Sequence, residues 1–117
     1  MATNTTSRKP EAGAVAAYRK QQVSGARPEQ LMLELYDYGV AGCLKEDSRL
    51  VSAVLVELIA ALNFDHEEIA TGFFRLYDYC LRQVKRGQFE MPLKILRELR
   101  ETWAVALSQS QALAVNM

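Results

Sequence analysis

One histidine, two cysteines, one tryptophan and three prolines are few among 117 residues, and each scarcity removes a class of function. His66 opens the run His66-Glu67-Glu68-Ile69-Ala70, the first half of a zinc-protease helix. The second histidine, required four residues on, is Ala70, so that metal site cannot be completed. Di-iron bundles need two Glu-x-x-His pairs, and the chain has none. Glu67 and Glu68 read instead as acidic residues favouring the positive end of a helix. There is no glycine-rich phosphate loop, and Cys43 and Cys80 have no histidine partner in a motif. No enzyme, metal or cofactor is expected. Both cysteines fall inside expected helices of a chain with no export signal, so they read as buried thiols rather than a disulfide.

Excess charge is missing too. Fourteen basic and fourteen acidic residues cancel, and the pI is near 6.6. Such a balance offers no attraction to a phosphate backbone or anionic lipid, so no nucleic-acid partner is expected. The N-terminus is polar with no apolar run behind it, unlike a signal peptide. The longest apolar run, Leu50 to Leu62, contains Glu57 and is too short to span a bilayer. These features predict a cytoplasmic protein with no membrane insertion.

Half of the residues are hydrophobic, which suits one soluble domain with a modest core. Residues 1–14 lack hydrophobic periodicity and read as a disordered arm. Val15, Tyr18 and Val23 anchor a short helix over 15–23, docked through Tyr18. A first long helix, 28–46, starts at Pro28, whose fixed φ suits that position. Gly39 and Gly42 within it read as points where another helix comes close. Asp47 or Ser48 caps a second helix, 49–63. Asp65 and Glu68 form a capping-box variant for a third, 66–86, which Gly87 closes. A fourth, 90–109, tolerates Pro92 in its first turn; residues 111–117 fray. Short connections between long helices favour antiparallel neighbours. The expectation is all-α: an antiparallel up-down four-helix bundle with a short N-terminal helix, one domain over 15–110.

The word Leu-Tyr-Asp-Tyr occurs twice, at 35–38 and 76–79, in the first and third long helices. Tyr and Asp adjacent on a helix point about 100° apart, which argues against a shared acid/base site. The words read as matched tyrosines that set two helices in register, with ring bodies packed and hydroxyls hydrogen-bonded at the bundle rim. The second long helix is apolar nearly all round, with only Arg49, Ser52, Glu57 and Asn63 plainly polar. A helix of that kind needs cover on most sides, and a bundle this small predicts a spare face.

Taken together, Tyr18, then Pro28-Glu29-Gln30-Leu31 leading to Leu35-Tyr36-Asp37, resembles the N-terminal signature of the flagellar secretion chaperones of the FliS family. Glu57-Leu58 with Leu62-Asn63, Glu68-Ile69-Ala70 leading to Leu76-Tyr77-Asp78-Tyr79, and Leu99-Arg100-Glu101-Thr102-Trp103 are similar to its later helices. The resemblance runs from about Tyr18 to Leu107. It implies a helical bundle that binds the C-terminal segment of flagellin, wrapped as helices in apolar grooves, to block premature polymerisation and deliver it to the export gate. Three features depart from the pattern. Gly25-Ala26-Arg27-Pro28 stands where Thr-Ala-Ser-Pro is usual, losing a cap worth about 1 kcal/mol. The interval from Tyr36 to Glu57 is shorter than usual, and the arm before Tyr18 is longer. A divergent paralogue with another flagellar client is therefore an alternative.

On this reading Leu31, Leu35, Tyr36, Val51, Leu55, Leu58 and Leu62 lie along client grooves, with anchors at helical spacing, and Tyr18 is a plug that the client displaces. The competing expectations are a client-free homodimer through the spare face and a helical protein that binds a regulatory factor.

Overall fold

The computed structural model describes residues 28–116, with side chains from 29 to 109. The helix expected over 15–23, with Tyr18, lies outside the described residues. Four helices follow in order: α1 Pro28–Leu44, α2 Ser48–Ala60, α3 Glu67–Lys85 and α4 Glu90–Asn116, with a 3₁₀ turn Phe64–His66 before α3. No strand occurs among the described residues, and the bundle is all-α as expected.

Local chemistry sets the helix ends. At the end of α1 the Asp47 amide donates to the Gly42 carbonyl and the Glu46 amide to that of Cys43. This is a Schellman closure, and it places Glu46 at φ +53, a left-handed conformation normally left to glycine. The helix therefore stops at Leu44 rather than reaching 46. Asp47 then works on the next element, its carboxylate accepting the Leu50 amide at 3.1 Å to cap α2. At the end of α3 the same closure falls on a suitable residue: Gly87 has φ +76, and Gln88 and Gly87 donate to Gln83 and Val84.

Two further expected boundaries are corrected. α2 ends at Ala60 rather than 63, because Asn63 turns its side chain to the Asp65 amide and starts the 3₁₀ turn. Asp65 is thus not the cap of α3, which begins after His66 with no side-chain cap. Second, α4 runs on to Asn116, past the point where fraying was expected.

Around the bundle, α1 packs against α2 and α4, α2 against α3, and α3 only lightly against α4. α1 and α3 are diagonal. Leu35, Val51, Val54, Leu55 and Leu96 are fully buried between the helices, each burial stabilising by about 2 kcal/mol. The two glycines of α1 allow the tight approach. A Cβ at Gly42 would sit 2.8 Å from Val51 Cγ2, and one at Gly39 would sit 3.0 Å from Leu96 Cδ1. Gly39 thus admits α4, and Gly42 admits α2.

Two substitutions test this account by urea unfolding. Gly42→Ala should destabilise by about 1–2 kcal/mol despite better helix propensity, because the stiff, buried Val51 cannot move aside. Glu46→Gly should stabilise by about 0.5–1 kcal/mol by relieving the left-handed strain.

An apolar cleft between the third and fourth helices

α3 and α4 are joined by the turn through Gly87, yet away from that turn they separate, because each is tied to a different neighbour. α4 is held to α1: the Arg100 guanidinium pairs with the Asp37 carboxylate, and Trp103 Nε1 donates to the Glu29 carbonyl at 2.6 Å. α3 is held to α2. Between their free flanks lies a cavity of about 210 Å³, lined by Met32, Tyr36, Leu62, Phe73, Tyr77, Leu99 and Trp103, among others.

Its walls are almost wholly apolar. Polar side chains enter the wall at Asn63 and Thr102, and where Tyr36 and Tyr77, forty-one residues apart, bring their hydroxyls together at 2.8 Å. These are the first tyrosines of the two Leu-Tyr-Asp-Tyr words, and the bond links diagonal helices. The register reading is thus realised, but inside the bundle: both rings are buried, where a rim position was expected. Of the second tyrosines, Tyr38 donates to the Glu34 carboxylate within α1 at 3.0 Å, and Tyr79 is exposed.

The cavity continues outward along α3. Phe73 belongs both to its wall and to a shallow groove lined by Glu68, Ile69, Gly72 and Leu76. Ile69, Gly72, Phe73 and Leu76 fall at i, i+3, i+4 and i+7, the spacing of one helix face. Ile69 is 64% exposed, and Phe64 just before α3 is 53% exposed. A Cβ at Gly72 would meet nothing within 4 Å, unlike Gly39 and Gly42.

The expected groove residues divide sharply. Tyr36 and Leu62 line the cleft. Leu31, Leu35, Val51, Leu55 and Leu58 do not: all five are buried in the core. α2 is apolar nearly all round because α1 covers one flank and α3 another. Its spare face reduces largely to Val56, 51% exposed. The open apolar surface belongs to α3 and α4 instead. Ile69, Phe73 and Leu76 were legible as part of a helical stripe, and Leu99 and Trp103 as part of another. Nothing in their spacing marked them as surface rather than core. The one available signal was Gly72, which lowers helix stability by about 1 kcal/mol without admitting a neighbour.

Burial raises the pKa of two phenols and two thiols in the bundle. Desolvation pushes the Tyr77 phenol well above its usual range, and Tyr36 also shifts up, although its bond to Tyr77 opposes this. The buried Cys43 and Cys80 thiols are both pushed up to about 11, again by desolvation. Neither cysteine is in a disulfide. Among the described residues there is no group of three His, Cys, Asp or Glu side chains that could hold a metal ion, and no helix is long and apolar enough to cross a membrane. Compared with protein-family models, curated proteins and solved structures, the chain matches none.

The raised values fix the sign of an alkaline dependence. The folded chain keeps these protons at a pH where the unfolded chain has begun to lose them, so stability is whole below the unfolded values and falls as pH rises. The fall should begin near 9 for the thiols and near 10 for the phenols, their ordinary values. Urea unfolding at pH 8, 9.5 and 11 should show a steady drop. The doubly substituted Tyr36→Phe, Tyr77→Phe chain should fall less steeply above pH 10.

Proposed function

We propose that this chain is a cytoplasmic export chaperone of the FliS kind. It holds the disordered C-terminal segment of flagellin, preventing premature polymerisation and aiding delivery to the flagellar export gate. The observation that carries the reading is the apolar cleft between α3 and α4, with its extension along Ile69, Gly72, Phe73 and Leu76. An amphipathic client helix recognises such a surface by laying its own anchors into it, and Gly72 leaves room for a close approach. The sequence resemblance supports the same class. It is a binding function with no nucleotide, metal or catalytic step. Tyr18 is the proposed plug that the client displaces.

Co-expression with the flagellin of the same cell should give a soluble equimolar complex on size exclusion. Flagellin lacking its C-terminal segment should give none. Ile69→Glu, at a site exposed enough to spare the fold, should weaken the complex at least tenfold. Equal binding of the truncated flagellin, or a tight homodimer indifferent to flagellin, would remove the proposal.

A further inference from the structure

The exposed side of α3 reads alike in both directions from Gly72, with the sign of the charge reversed. Glu68 lies four residues before the glycine and Arg75 three after, both exposed, at about 6 and 4.5 Å along the axis and on the same helix face. Ile69 lies three before and Leu76 four after, and both line the groove beside Gly72. Further out stand two exposed aromatics, Phe64 eight before and Tyr79 seven after. Neither Glu68 nor Arg75 has an ion-pair partner among the described residues, whereas Arg82 is held by Asp78 at 2.6 Å. A Cβ on Gly72 would meet nothing within 4 Å. The glycine therefore weakens its helix without seating any other helix of this bundle.

From this we infer that the face is a pairing surface for a second copy of the chain, the two α3 helices running antiparallel and crossing at Gly72. A two-fold contact makes each pairing twice, once in each direction. Crossed in this way, Glu68 of each copy meets Arg75 of the other, Ile69 meets Leu76, and Phe64 meets Tyr79. A parallel arrangement would set Glu68 against Glu68 and Arg75 against Arg75, which repel. Gly72 lets the two backbones come close, as Gly39 and Gly42 do for helices within the bundle. One helix face against another is a small interface, so self-association in the micromolar range is expected. The face includes the groove assigned above to the client, so a second copy and a client exclude one another. That exclusion rests on the chaperone reading; the pairing itself does not.

Sedimentation equilibrium of the full chain at low salt, where surface charges are least screened, should show a monomer–dimer equilibrium. Glu68→Arg should weaken it about tenfold, and so should Arg75→Glu, because each turns two attractive contacts into two repulsive ones. The doubly substituted Glu68→Arg, Arg75→Glu chain should recover the dimer, since every acid again faces a base. Gly72→Gln gives a fourth reading. It should leave the thermal midpoint at least as high, glutamine being the better helix former, yet weaken the dimer by holding the copies apart. All three sites are exposed, so the substitutions spare the fold. A chain that stays monomeric up to about 1 mM leaves the face to the client alone and overturns the inference. So does a dimer indifferent to the single swaps, or a double swap that fails to restore it. Flagellin takes no part, so such a result would leave the chaperone reading to its own test.

Discussion

The close seating of α1 against α2 and α4 is the constraint on which the other features depend. Gly42 and Gly39 leave no room for a methyl group between α1 and the side chains of Val51 and Leu96. With α1 pressed against two partners, α2 and α4 become its neighbours and α3 falls on the diagonal, reached through α2. α3 and α4 then share only a light contact. The open seam on one side of the bundle is the geometrical counterpart of the tight ones on the other.

Within that frame the tyrosine pair couples architecture to site. Its bond links the diagonal helices α1 and α3, and both rings line the apolar cleft. Burial raises the pKa of both phenols. The surface therefore offers mainly apolar contact area. On the proposed reading, an amphipathic client helix would lay its apolar anchors on that area.

Much of the fold was legible because its signals are local. Pro28, Asp47 and Gly87 mark helix ends through backbone chemistry that involves only a few neighbouring residues. The glycines of α1 announced close approach because they weaken a helix that must gain something in return. Asp65 misled for the same reason: its Asp-x-x-Glu spacing is a valid cap signal, but Asn63 took the backbone first and wound a 3₁₀ turn.

The sequence by itself determined the long helices, their approximate ends and the all-α class. Tertiary structure alone decided which apolar stripes meet each other and which meet solvent. The over-apolar α2 suggested an open groove along Val51, Leu55 and Leu58, and the fold buried all three. It left Ile69 and Phe64 exposed instead. Helical periodicity reports that a face is apolar, whereas its cover depends on which neighbours the interhelical packing brings within reach.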